Sequence, residues 1–216
     1  FTLSTEASID LAQDAELLAL MERAAFTMVF VGLETPDEAT LAHTGKSQNL
    51  KGSVLESVRR IQGHGMEVTG GFVIGFDTDP PDIFDRQIRF VEEAAIPTAM
   101  VGLLTALPGT KLYRRLASER RLLAHSSGNN THDLSLNFVP RMDADTLIAG
   151  YKRVVTEVYR PATYFARCTE LLRRLPMRTR VVRRMSWPNA RALLLSIGKQ
   201  AFSRYGFSYV RFLVHA

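Results

Sequence analysis

Cysteine is almost missing from this chain: Cys168 is the single example in 216 residues. An internal disulfide is therefore excluded, and so is any site that needs several thiolates, such as an all-cysteine zinc site. Cys168 lies in a helix-like stretch with Phe165 and Leu171, which reads as a small half-buried hydrophobe rather than a reactive thiol. Long apolar runs are also missing. None approaches the roughly 18 residues of a membrane span, and the N-terminus lacks the basic, apolar and small-residue progression of a signal peptide. The expectation is a cytoplasmic protein, peripheral to a membrane at most. An initiating Met is lacking too: Phe1 opens an apolar, strand-like segment, so the element is expected to have been preceded by further chain.

What is present is enough for a core. An apolar content of 46% over this length fits one domain, or one domain with a smaller extension. The net charge of +5 hides an asymmetry: residues 1–140 hold 12 basic and 18 acidic side chains, and residues 141–216 hold 15 and 4. Basic helical faces are usually solvated, but such a tail also suits an anionic lipid surface, a nucleic acid or an acidic partner domain.

Hydrophobic periodicity alternates along the first part of the chain. Phe1 to Ile9 reads as a strand and Asp14 to Ala25 as a helix with Leu17, Leu18, Met21 and Ala25 at helical spacing. Thr27 to Leu33 is a continuous apolar run of the kind buried parallel strands show, and Ser53 to His64 places Val54, Leu55, Val58 and Ile61 on one helical face. Glu67 to Phe76 and Ala99 to Ala106 read as further strands, followed by helices over Pro81 to Ala95 and Lys111 to Glu119. Successive strand-helix units require right-handed crossovers and a parallel sheet, either doubly wound or part of a β/α barrel. In both, functional groups gather at the carboxyl ends of the strands, here around Glu6, Glu34, Gly75 to Asp79 and Ala106 to Thr110. A polar stretch follows, with a loop at Ser126 to Asn130. A long helix from Ala144 to Tyr159 is ended or kinked by Pro161, and Tyr164 to Leu175 and Ala190 to Tyr205 are amphipathic.

Each strand end carries two readings. The glycines of Gly70-Gly71-Phe72-Val73-Ile74-Gly75 leave room for a ligand against the backbone, or mark an ordinary tight turn. Glu34 is placed to meet a polar ligand such as a ribose hydroxyl, or caps the next short helix through Glu34-Thr35-Pro36-Asp37-Glu38. Leu107 ahead of Pro108-Gly109-Thr110 can press on a flat ligand, or sits in a plain turn. The acids Asp77, Asp79, Asp82 and Asp85 invite a divalent metal, but Asp79-Pro80-Pro81-Asp82 reads better as a turn, an N-cap and first-turn acids. His43, Lys46, His64 and His125 are expected at the surface.

Taken in order, these segments resemble the second half of the radical S-adenosylmethionine core. Val31-Gly32-Leu33-Glu34-Thr35 is similar to its Gly-x-Glu-Ser region, with Thr44-Gly45-Lys46 following at the usual distance. Gly71-Phe72-Val73-Ile74-Gly75 is similar to its GxIxG motif, although Thr78 stands where the longer form ends in glutamate. Leu107-Pro108-Gly109-Thr110-Lys111-Leu112-Tyr113 is similar to the signature of the subgroup with an N-terminal cobalamin-binding domain. Asn137-Phe138-Val139-Pro140, Gly150-Tyr151 and Tyr159-Arg160-Pro161, leading to Tyr164 and Arg167, resemble the uncharacterised C-terminal extension, DUF4070-like, of one branch of that subgroup.

The resemblance implies an α/β fold, the second half of a partial (β/α)6 barrel over 1–123 with a mainly helical basic extension over 124–216. It implies reductive cleavage of S-adenosylmethionine to a 5′-deoxyadenosyl radical that acts on an unactivated carbon, methylating or rearranging it, the protein's part being mainly to position the reactants. Glu34 would bind the ribose, the backbone at Gly71, Val73 and Gly75 the adenine, Leu107 its apolar face, and Glu6 the methionine moiety. The Cys-x3-Cys-x2-Cys loop that ligates the 4Fe-4S cluster and the Gly-Gly-Glu strand do not occur in the chain. Cluster and cobalamin ligands are thus expected on a missing N-terminal barrel half and cobalamin domain, the chain's chief partners, and the isolated chain is expected to be inert. The substrate class is a small molecule or a polycyclic lipid, and nucleic acid is not expected. Two other readings stand beside this one: a cluster-free barrel enzyme with a metal on Asp77 and Asp79, and a lipid- or partner-binding module using Arg173 to Arg184.

Overall fold

Alternation of side chains along the strands sets the architecture. The computed structural model describes residues 2–44, 49, 52–124, 134–176 and 187–215. Strand β2 (Phe26–Glu34) buries Val29, Val31 and Leu33, so Met28, Phe30 and Gly32 point to the other side of the sheet. Strand β3 (Glu67–Ile74) buries Val68, Phe72 and Ile74 on the same side, and β4 (Ala99–Leu103) buries Ala99 and Val101. With β1 (Leu3–Ala7) they form one parallel sheet in the order β1-β2-β3-β4. This order has no reversal, so the switch point of a doubly wound sheet is not found among the described residues. The α/β class and parallel sheet agree with the sequence; four strands do not themselves close a barrel.

Helices cover the buried side of the sheet. Helix α1 (Ala15–Arg23) starts at Asp14, whose carboxylate accepts the Leu17 N–H, and contributes Leu18 and Met21 to the core. Leu17 is exposed, and Ala25, counted as helical from periodicity, instead ends the helix in the left-handed region at φ 62°. A short α2 (Glu38–Thr44) precedes α3 (Val54–Gly63), which buries Val58 and Ile61, and α4 (Ile83–Glu93), which buries Ile83, Phe84 and Val91. Helix α5 (Lys111–Ser118) follows β4 and is capped by Thr110.

The following helices extend the same core. Helix α6 (Ala144–Val158) packs on α4 and β4 and buries Leu147, Val154 and Val158 with the sheet residues. A Cβ on Gly150 would stand 2.2 Å from the Phe84 ring, so only glycine lets α6 approach α4 this closely. Beyond α6, the Tyr159 hydroxyl donates to the Ala99 carbonyl and accepts its N–H, at 2.9 and 3.1 Å. Pro161 does more than end that helix: it opens α7 (Pro161–Arg174), where its missing N–H costs nothing.

The segment read as one helix over Ala190 to Tyr205 is two, α8 (Trp187–Gln200) and α9 (Gly206–His215). The chain turns at 201–205 between them, and Gly206 opens α9 where a Cβ would lie 1.9 Å from the Ala201 carbonyl oxygen. Among the described residues no helix is long and apolar enough to cross a membrane. Gly45 and Lys46, His125, the Ser126 to Asn130 loop and most of Arg173 to Arg184 lie outside the described residues.

Candidate functional site at the carboxyl edge of the sheet

Glu34 ends β2 in a conformation that L-residues avoid. Its φ is 64°, and the register with β3 slips there, Gly32 pairing with Gly71 but Glu34 with Phe72. The bulge turns the last residue of the strand away from regular alternation, at a cost of order 1–3 kcal/mol that surrounding contacts must offset. One such contact is Asn49, buried, whose Nδ2 donates to the carbonyls of Leu33 at 3.1 Å and Gly32 at 3.4 Å.

Within the segment read as a helix cap, the capping group is Asp37. Its Oδ2 accepts both the Thr40 N–H and the Thr40 hydroxyl at 2.9 Å, so Asp37 is the residue that caps α2. Arg86 donates to its Oδ1 at 3.0 Å and to Asp82 at 2.9 Å, while Thr78 donates to the Thr40 hydroxyl at 3.0 Å. The loop behind Glu34 is thus held by Asp37. Asp82 occupies the N-cap position of α4 and Asp85 its first turn, as the sequence suggests, but the Asp82 side chain pairs with Arg86 instead of capping the helix.

At the end of β3 the glycines accommodate this chain's own side chains. A Cβ on Gly71 would meet the Phe30 ring at 2.9 Å, and one on Gly70 the Phe72 ring at 2.6 Å. Gly75 has φ 108°, open to glycine, and Leu147 of α6 fills the space beside it. Val73 is half-buried and, with Gly71, points to the side of the sheet opposite the helical core.

Asp79 closes the turn after β3, its Oδ2 accepting the N–H groups of Gly75 and Phe76 at 2.8 and 3.0 Å. Burial pushes its carboxyl up to about 6, against the pull of those two hydrogen bonds, and the charge of Asp37 adds to the rise. Asp77 is driven the opposite way. Arg121 donates to both of its oxygens at 2.6 and 2.8 Å and Arg115 to one at 2.8 Å, and the Arg121 contact chiefly holds the carboxyl below the usual range. Both aspartates are therefore engaged by the protein, and no group of three metal-ligating side chains occurs among the described residues.

After β4 comes Leu107, its side chain partly exposed. Its carbonyl accepts the Thr110 hydroxyl at 2.7 Å, Gly109 turns the chain at φ 83°, and Thr110 caps α5. The residue before it is fixed from a distance: the buried side-chain amide of Asn137 pairs with both backbone groups of Ala106.

Glu34 ends β2, Gly75 directly follows β3, and Leu107 lies in the turn four residues beyond β4, all past the same edge, with Gly71 and Val73 just inside it. Glu6 is on the same side but lower, since it pairs with Phe30, four residues before Glu34. At about 3.3 Å per residue and 4.8 Å between strands, their Cα atoms are ~14 Å apart, so only an elongated ligand touches both. Asn49 and Asn137 were missed as site supports. His43 is exposed as expected; His64 is not fully so, its Nδ1 lying 3.2 Å from Glu22.

Residues 110–216 match the family model described as a domain of unknown function, DUF4070. The chain is homologous to methyltransferases. It is 42% identical over 167 residues to an uncharacterized methyltransferase of Synechocystis sp., covering 77% of this chain and 31% of that protein. It is 35% identical over 165 residues to the hopanoid C-2 methylase of Rhodopseudomonas palustris, covering 76% and 30%. The bacteriochlorophyllide d C-12(1)-methyltransferase of Chlorobaculum tepidum is 22% identical over 161 residues, 74% and 35%. The chain spans about a third of the length of these relatives.

Proposed function

We propose that this chain is the substrate-side part of a methyltransferase that binds S-adenosylmethionine at the carboxyl edge of the sheet and works by radical chemistry. The observation that carries the reading is Glu34. A glutamate held at φ 64° in a bulge whose backbone is braced by Asn49 is a strained residue at a strand end where ligands bind. Such strain persists where its geometry is useful.

The residues at this edge fit the adenosine half of S-adenosylmethionine. The Glu34 carboxylate accepts hydrogen bonds from ribose hydroxyls, the half-buried Val73 and its backbone meet the adenine edge, and the exposed side of Leu107 covers its face. Glu6 reaches the opposite end of an elongated ligand. When bound, S-adenosylmethionine would supply the 5′-deoxyadenosyl group and the methyl group.

The donor set does not fit a 4Fe-4S cluster, because Cys168 is half-buried on α7 and no other thiol occurs in the sequence. Cluster and cobalamin belong, on this reading, to the rest of the protein, and the sheet continues into a partial barrel there. The relatives named for hopanoid and bacteriochlorophyllide methylation support a polycyclic, largely apolar skeleton as substrate. The cytoplasm is the expected compartment.

Glu34→Gly separates function from strain. In the full-length protein that carries this chain, it should raise stability by about 1 kcal/mol, since glycine adopts positive φ freely. It should also weaken equilibrium binding of S-adenosylmethionine about tenfold or more, as a lost charged hydrogen bond does. Unchanged binding would remove the proposal.

A further inference from the structure

Helices α8 and α9 present apolar side chains that nothing in the described structure covers. None of the residues of α8 is buried, although it carries Leu193, Leu194, Leu195 and Ile197. Phe202, between the helices, is 91% exposed; Phe207 at the start of α9 is 84% and Trp187 at the start of α8 is 76% exposed. Among the described residues, nine of the eighteen exposed large hydrophobics fall within 187–215. Isolated surface hydrophobics are ordinary, but this density marks a contact surface.

The surface has a fixed orientation. Tyr209 is buried, and both it and Phe212 pack on Phe165 of α7, at ring distances of 5.8 and 5.4 Å. The Ser196 and Tyr209 hydroxyls lie 2.8 Å apart and tie α8 to α9. With that side of α9 turned inward, Phe207, Val210 and Val214 point outward at i, i+3 and i+7, with Arg211 beside them. A cavity of ≈ 340 Å³ between α7 and α9 is lined by Phe165, Phe207 and Phe212, with Arg173 and Arg211 in its wall.

Charge identifies the occupant. From Leu171 to Ala216 the sequence has ten Lys and Arg side chains and no Asp or Glu. Arg174 donates to Glu170, Gln62 and the Glu93 carbonyl; Arg191, Arg204 and Arg211 are exposed among the apolar side chains. Exposed aromatics interleaved with cations and free of acids suit the headgroup and acyl boundary of an anionic bilayer. A nucleic-acid duplex would engage the arginines but leave Phe202 and Phe207 unsatisfied, and stacking of single-stranded bases on them would leave the aliphatic run Leu193 to Leu195 uncovered.

We propose that α8 and α9 form an interfacial docking surface that lays the protein on an anionic lipid bilayer, with Trp187, Phe202 and Phe207 in the acyl boundary and the arginines at the headgroups. This does not depend on the methyl-transfer reading. Trp187 is the chain's only tryptophan and reports the contact directly. In the full-length protein that carries this chain, vesicles of phosphatidylglycerol and phosphatidylcholine should shift the Trp187 emission, read as the difference from W187F, to shorter wavelength, and brominated acyl chains should quench it. Pure phosphatidylcholine vesicles should do neither. The double substitution F202S/F207S, at exposed positions that leave the circular dichroism unchanged, should weaken vesicle affinity about tenfold or more, and R191Q/R204Q/R211Q should do the same. Absence of both the shift and the quenching in the unaltered protein would overturn the proposal and leave this face to another part of the protein. Vesicle binding that survives F202S/F207S would overturn it in favour of a simple polyanion site.

Discussion

The side-chain amide of Asn137 closes on the backbone of Ala106 from both sides, its Nδ2 donating to the carbonyl at 2.8 Å and its Oδ1 accepting the N–H at 3.0 Å. This buried pair ties the segment before α6 to the turn that carries Leu107. Asn137→Ala leaves two buried backbone groups unpaired and should lower the unfolding free energy by about 2–4 kcal/mol in urea titrations. Asn137→Asp should be no better at neutral pH, because a carboxylate oxygen then faces the Ala106 carbonyl.

Distance along the chain explains why Asn137 and Asn49 escaped sequence reasoning. Their contacts cross 31 and 16 residues, and neither residue type nor spacing announces such a partner. The strands and helices through α6 were legible, because alternation and helical periodicity are local consequences of burial. Glu34 was legible as a strand-end carboxylate and the segment through Asp37 as a helix cap, whereas the left-handed φ of Glu34 was not. The glycines of β3 were noticed for the right reason, close approach, but the groups that approach are Phe30, Phe72 and Leu147 of the same chain. In the tail, apolar residues face outward, so periodicity no longer reports a core and the break before Gly206 went unseen.

Asp77 should stabilise the fold in a pH-dependent way. Its folded carboxyl lies below the ordinary value, so its contribution is complete above about pH 4 and is lost as pH falls through the lowered folded value. Asp77→Ala leaves Arg121 and Arg115 without their shared partner and should cost about 2 kcal/mol at neutral pH. Matching urea midpoints for the two proteins at neutral pH would show the pairing to be unimportant.

Asp79 should act with the opposite sign. Because its folded carboxyl is pushed up to about 6, the folded state binds the extra proton and stability falls as pH rises from about 4 to about 6. The effect is on the order of 2–3 kcal/mol. Asp79→Asn keeps an oxygen to accept the Gly75 and Phe76 N–H groups, so it should flatten this slope and raise the melting temperature at pH 7.5. Thermal melts across that range decide it.

Gly150→Ala tests the seating of α6. In an exposed helix the change would gain about 1 kcal/mol in helical propensity. Here the new methyl meets the Phe84 ring, so the net effect should be a loss of about 1–3 kcal/mol. Combining it with Phe84→Leu should recover part of that loss, since the two positions share one space.

The most direct test of the central claim is product analysis by mass spectrometry on the full-length protein that contains this chain, reduced and supplied with S-adenosylmethionine. The account predicts both 5′-deoxyadenosine and S-adenosylhomocysteine, with both falling by about two orders of magnitude or more in Glu34→Ala, as loss of a buried charged contact to the cofactor implies. S-adenosylhomocysteine without 5′-deoxyadenosine, or products unaffected by Glu34→Ala, would contradict it.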